Sequence, residues 1–391
     1  MSQLMNNIQD ISEVKIRFRV PVIPGIMVYQ IIEKAFFEFI KEPNVLDINE
    51  SIVIVGDLHG HLLDLLRIIK DNGLPPLQKY LFLGDTIDRG EFSFETILFI
   101  ACMKVVRPEC VFLLRGNHEF EEYAMNEGFQ SEISSIYDTD VVWKVFMNLF
   151  SALPLAARVF STFCVHGGIG PSVNELNEIE SIKRPIKNYS SPIVRDLLWS
   201  DPSDQIQCYL PSQRGCGSLF GEACIQKFLR NCHCTSMIRS HEFVEEGIRT
   251  HHHGLTNTVF SCSNYCGSSN NVGAIIIIDG KGEHHTVFYS PLKYLKRKDV
   301  KLVQTTNESV FCPILRPPSI TKLCNSKILP ELGEKCKSQP NTGSFLPVIS
   351  RTTPLCALGG SSRKQFSITK IEMNKFVFKD IGKKCVRKAS F

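Results

Sequence analysis

The sequence predicts an α/β fold, on three observations. From residue 51 onward, short aliphatic runs alternate with stretches whose apolar residues recur at helical spacing. Each of the first four runs stops at a glycine flanked by aspartate, asparagine or histidine. In open α/β sheets, such strand ends are where ligand-binding residues gather.

Taken in order, residues 1–24 are mixed in composition and read as an N-terminal extension. A helix is predicted over 25–41, because Val28, Ile31, Ile32, Ala35, Phe36 and Phe39 share one face. A first strand, 52–55, runs into GDLHG; a second, 81–83, into GDTIDRG; a third, 111–114, into RGNHE. A fourth, 163–165, leads into HGG. Helices are predicted between the first three, around 61–71 and 92–106. Residues 173–291 are less regular, with later strands near 256–260 and 273–279. These segments form one domain, 25–300. From about residue 301 the periodicity fades into proline, serine and lysine, and 301–391 read as a basic tail. Residues 307–391 are expected to be largely disordered, with short docked segments at most.

Charge divides the chain in the same way. From Lys301 onward there are 16 Lys and Arg against 5 Asp and Glu, while the first 300 residues hold 28 basic and 35 acidic groups. The overall net charge of +4 therefore describes neither part. No charged-then-apolar leader opens the sequence, and the longest purely aliphatic run, 274–278, is too short to cross a bilayer. The expected setting is cytoplasmic or nuclear, with neither membrane nor nucleic acid as partner. The 15 cysteines are odd in number and scattered, and read as reduced thiols. Cys232-His233-Cys234 lacks the second half that a zinc site needs. His251, His252 and His253 read as a solvated loop, and Cys266 as a packed thiol.

Six residues at the strand ends carry ligand chemistry: Asp57, His59, Asp85, Asn117, His166 and His241. Oxygen and imidazole donors without thiolate suit Mn, Fe or Zn better than a structural zinc site. A bridging carboxylate can hold two ions about 3.5–4 Å apart, the arrangement that clamps an in-line displacement at phosphorus. Gly56, Gly84, Gly116 and Gly167 flank these donors and permit sharp turns.

The motifs GDLHG, GDTIDRG, RGNHE, HGG, RSHE and SCSNYCG resemble the phosphoprotein phosphatase family of serine/threonine phosphatases, within the calcineurin-like metallophosphoesterase superfamily. The resemblance runs from about residue 25 to 295 and includes LPLAA and DLLWSDP. The first three motifs are shared across the superfamily, whereas DRG, WSDP and SxNYC narrow the match to protein phosphatases. The resemblance implies a metallophosphoesterase-type β-sandwich flanked by helices, with a di-metal site at the strand ends. It implies that Asp57 and His59 bind one ion, that Asp85 bridges, and that Asn117, His166 and His241 complete the second. Arg89 and Arg214 would hold phosphate oxygens, for which a planar guanidinium is suited. His118 would be the general acid, with Asp88 hydrogen-bonded to it, and Tyr265 would line the cleft.

The implied reaction is direct attack on phosphoserine or phosphothreonine by a hydroxide bridging two ions (Mn, or Fe with Zn), without a phosphoenzyme. Phosphoproteins are the implied substrates, with regulatory or targeting subunits as further partners. Two other readings remain. A hydrolase of small phosphoesters, such as dinucleoside polyphosphates, is not expected to carry WSDP and SxNYC. A catalytically dead scaffold has no physical need of the complete ligand set and both arginines. Departures from the family pattern fall at SCSNYC, where many members have SAPNYC, and at GSSNN over 267–271.

Overall fold

The computed structural model describes residues 18–304, so the expectations for 307–391 lie outside the described residues. Two sheets stack face to face. The first runs, in spatial order, His284–Tyr289, Gly273–Ile278, Ile52–Val55, Tyr80–Phe82 and Val111–Leu113. Its last three strands are parallel and the two preceding them join antiparallel. The second runs Ile248–His251, Thr256–Val259, Ser236–Arg239, Thr162–Val165, Ala156–Val159 and Val45–Ile48.

Alternation of side chains along each strand explains the layers. Ile52, Ile54, Leu81 and Leu83 pack between the sheets with Ala157, Val159, Cys164 and Ile238. Val53, Val55, Tyr80 and Phe82 belong instead to the core beneath helices Gly25–Lys41, Leu62–Asn72, Ser93–Val106 and Asp140–Ser151. On the far side, Phe163, Val165 and Met237 pack with helices Pro192–Trp199 and Glu222–Asn231. Strands covered on both faces read as unbroken aliphatic runs, which is why 52–55 and 163–165 were visible in the sequence. The result is the helix-flanked β-sandwich that the motifs implied. Among the described residues, no helix is long and apolar enough to cross a membrane.

The ordered body extends beyond 25–300. Arg19–Val22 pairs in parallel with Lys301–Gln304, and Phe18 and Val20 are buried in the core beneath the helices. A four-residue strand whose partner lies at the opposite end of the described chain leaves no local periodicity to read. Two smaller expectations are also corrected. His253 is exposed as expected, but His252 is buried, with its ring 5.7 Å from that of Phe220, and half-buried His251 pairs with Asp204 at 2.9 Å. Cys266 is exposed, in a turn where its φ is positive.

If the terminal strand pair is structural, Val20→Ala should lower the unfolding free energy by about 2 kcal/mol in a denaturant titration. A loss under about 0.5 kcal/mol is what a surface ornament would give.

Candidate active site

The loops after six strands meet at one end of the sandwich. An isolated parallel bridge between Asp57 and Phe260 joins the two sheets there, and the Ser261 and Cys262 amides both donate to the Asp57 carbonyl. The backbone is forced into the left-handed region at His59, Asp85, Asp88, Arg89 and His241. Such residues cost of order 1–3 kcal/mol each and persist only where their surroundings impose them. The imposition is close packing of main chain. A Cβ on Gly116 would lie 2.3 Å from Asp85 Oδ1, and one on Gly84 would lie 2.4 Å from the Gly116 nitrogen.

Asp85 directs its two oxygens at two donor groups. Its Oδ2 lies 3.7 Å from His59 Nε2, and its Oδ1 lies 3.5 Å from His166 Nε2. Asp57 Oδ2 stands 3.9 Å from His59 Nε2. Around His166 Nε2 are Asn117 Oδ1 at 2.9 Å and His241 Nδ1 at 3.2 Å. His59 and His166 each place Nδ1 against a backbone carbonyl, Ile87 at 2.9 Å and Leu83 at 3.0 Å. A carbonyl only accepts, so Nδ1 carries the proton and Nε2 presents a lone pair.

Burial holds both imidazoles well below their usual range, so they are neutral. Burial likewise pushes Asp57 up to about 7, and raises Asp85 further with the charges of Asp57 and Glu119 adding to it. Lone pairs therefore face lone pairs in a buried pocket. Only a cation or a proton between them makes that contact favourable. These residues fit two cations that share Asp85. Asp57, His59 and Asp85 could hold one, and Asp85, Asn117, His166 and His241 the other.

His118 approaches the same space from another direction. Its Nδ1 meets Asp88 Oδ2 at 2.7 Å, and its Nε2 lies 3.9 Å from Asp85 Oδ2. The other Asp88 oxygen accepts from the Phe129 amide at 2.9 Å. Burial pushes the Asp88 carboxyl up to about 7 and the His118 imidazole down to about 3, the latter with help from the charge of Arg89. Burial disfavours either charge alone, and Asp88 Oδ2, 2.7 Å from Nδ1, is placed to hold the imidazolium when Nε2 carries a proton as well. The Tyr265 ring lies 5.5 Å from that of His59 and stacks on Phe243 at 6.0 Å, forming a wall beside the donors. Arg89 and Arg214 are partly exposed and paired with Glu127 at 2.9 Å and Asp201 at 2.6 Å, and the charge of Arg89 acts on His59 and His118 and that of Arg214 on His241.

Several supporting residues were not singled out by the sequence. Glu119 accepts from the amides of Asp85, Thr86 and Gly116 and from the Thr86 hydroxyl. Buried Arg115 donates to the Glu119 carbonyl. Ser240 Oγ lies 2.6 Å from Asp57 Oδ1, and buried Arg239 donates to Asp201 at 2.9 Å. The Tyr189 hydroxyl donates to the Asn117 carbonyl at 2.5 Å. Glu119, Ser240, Arg239 and Asp201 all stand inside RGNHE, RSHE and WSDP, so the available signal was the motif positions to which the resemblance had assigned no role. Glu119→Gln puts an amide donor among donors and should reduce stability by about 2 kcal/mol. An unchanged denaturation midpoint would show that this carboxylate does not tie the loops.

Comparison with known proteins agrees with this geometry. Residues 50–245 match the sequence profile of the calcineurin-like phosphoesterases. Over 259 residues the chain is 38% identical to the serine/threonine-protein phosphatase PP2A-like PPG1 of Candida albicans, covering 66% of this chain and 62% of that protein. The chain thus matches less than two thirds of the length of that curated relative. The fold is similar, with a TM-score of 0.65 and 31% identity, to the structure of a protein serine/threonine phosphatase from Saccharomyces cerevisiae with similarity to human phosphatase PP5. That likeness covers 71% of this chain and 93% of the other. With half of its length matched by the profile, and with a bipartite oxygen and imidazole site where the strands end, this chain belongs to the calcineurin-like phosphoesterase family.

Proposed function

We propose that this chain is a protein serine/threonine phosphatase that hydrolyses phosphoserine and phosphothreonine with a metal pair and a histidine acid. The observation that carries the reading is Asp85, whose two oxygens face two separate donor groups while the His118–Asp88 pair opens onto the same space. The names of the Candida albicans and Saccharomyces cerevisiae relatives support the choice of substrate class. The thiolate-free donor set favours Mn, or Fe with Zn. When bound, such ions supply electrostatic activation of water and neutralise charge on a phosphoryl group.

The chain's own residues do the rest. Arg89 and Arg214, each tethered to a carboxylate at the rim, would turn their forks to the phosphoryl oxygens. His118 Nε2 would deliver a proton to the departing serine or threonine oxygen, and Asp88 would keep the opposite nitrogen protonated so that the ring cannot rotate away. Tyr265 would close one side of the cleft. These groups read the phosphate and little of its surroundings, so regulatory or targeting subunits are proposed to supply substrate choice. The cytoplasm or nucleus is the proposed setting, supported by the scattered and odd-numbered cysteines.

Elemental analysis of purified protein tests the shared carboxylate. Asp85→Asn should reduce bound metal from about two equivalents to under one, and abolish the rise in thermal midpoint on metal addition. Retention of both ions by the variant would mean that Asp85 does not bridge.

Leaving-group dependence tests the acid. His118→Asn should slow phosphoserine peptide hydrolysis about a hundredfold more than p-nitrophenyl phosphate hydrolysis, because the phenolate leaves without a proton. Equal losses on the two substrates would leave His118 a positional role only.

A further inference from the structure

The short helix Glu121–Asn126 packs against the proposed acid, and the residue that ends it reaches back to the site. Tyr123 of this helix sets its ring 5.6 Å from that of His118. Glu127 closes the helix by donating its amide to the Tyr123 carbonyl at 2.9 Å. Two residues further on, the Phe129 amide donates to Asp88 Oδ1 at 2.9 Å. Glu127 Oε2 forms an ion pair with Arg89 Nη1, also at 2.9 Å. The turn is therefore tied to Asp88 by a hydrogen bond and to Arg89 by an ion pair. The Arg89 backbone is held, left-handed with φ 68° and with the next amide, Gly90, donating to the His59 carbonyl, so only its side chain turns between partners.

We propose that Glu127 is a specificity-determining residue that favours phosphorylation sites with an arginine or lysine beside the phosphorylated residue. The assignment rests on the phosphatase reading above, with Arg89 receiving the phosphate. Among the described residues, Arg89 is the one cation within ion-pair distance of Glu127. A phosphate dianion that takes Arg89 leaves the Glu127 carboxylate without a partner and close to a like charge. The side chains of Arg89 and Glu127 are 41% and 29% exposed, so a cation carried by the substrate can reach the carboxylate. A basic neighbour of the phosphorylated residue restores the lost pairing. An acidic neighbour adds a third negative group, and like charges brought together at an interface act against association. The helix itself reinforces the sign, since Glu121 and Glu122 open it and it contains no basic residue.

Steady-state kinetics of the full-length, metal-loaded protein test this on three phosphothreonine peptides of equal length. Arginine, alanine or glutamate flanks the phosphorylated residue. The wild type should show kcat/KM falling in that order, with the difference carried by KM and shrinking between about 0.05 and 0.5 M salt. Glu127→Gln should cut the arginine-to-glutamate ratio by roughly fivefold, and Glu127→Lys should reverse the order. A wild type indifferent to the flanks, or a ratio unchanged in both variants, overturns the role of Glu127. A uniform fall in kcat on all three peptides with the ratio preserved also overturns it, and marks a structural role. Failure of the wild type to turn over any of the three, with p-nitrophenyl phosphate still hydrolysed, sinks the protein phosphatase reading instead.

Discussion

The Glu119 carboxylate accepting from three backbone amides is the interaction on which the site depends. The loops after Tyr80–Phe82 and Val111–Leu113 come from adjacent parallel strands, and the His118 amide of the second donates to Asp85 Oδ1 of the first at 3.0 Å. The same turns gather the amides of Asp85, Thr86 and Gly116 at one point. Glu119 answers with two oxygens placed among the amides of Asp85, Thr86 and Gly116, converting main-chain donors that would otherwise be buried and unsatisfied into a clamp. Arg115 fixes the Glu119 main chain from below. Gly84 and Gly116 are then obligatory, because the clamp brings backbone to backbone with no room for a Cβ. The left-handed conformation at Asp85 follows from the same closure.

This arrangement separates two problems that a buried polar site must solve. The carbonyl partners of His59 and His166 settle which nitrogen is bare, before any ligand arrives. Burial keeps the rings neutral and makes the unneutralised carboxylates costly, so the same burial that prepares the donors also makes the protein prefer positive charge among them. Folding and ligand binding are thus linked through electrostatics, with no movement of the sheets required.

The sequence disclosed the donors because they obey local rules. Asp57, Asp85 and Asn117 each follow a strand and a glycine, and His166 lies between a strand and a glycine, a pattern confined to a few consecutive residues. The residues that hold them obey no such rule. Asp201 and Arg239 are far apart in the chain and meet only because Ser236–Arg239 inserts beside Thr162–Val165 in the second sheet. Arg19–Val22 finds its partner only at the end of the described chain. Glu127 belongs to no motif at all, and only the turn between two short helices brings it to Arg89. His252 and Cys266 were misplaced for a related reason. Polar composition does not say whether a turn tucks a ring beneath Phe220 or lifts a thiol into water. What periodicity reports is burial along one element, and what it omits is how distant elements are registered against each other.

The ring of Trp199 stands edge-on to that of His241, with centroids 5.4 Å apart and planes at 87°. The chain has one other tryptophan, Trp143, which is packed beside Phe129 in the core under the helices. One indole is therefore in van der Waals range of a candidate ligand, while the other sits in a different hydrophobic cluster as an internal standard. Filling of the second donor group would alter the surroundings of one indole and leave the other unchanged, so ultraviolet emission would report occupancy without any attached dye.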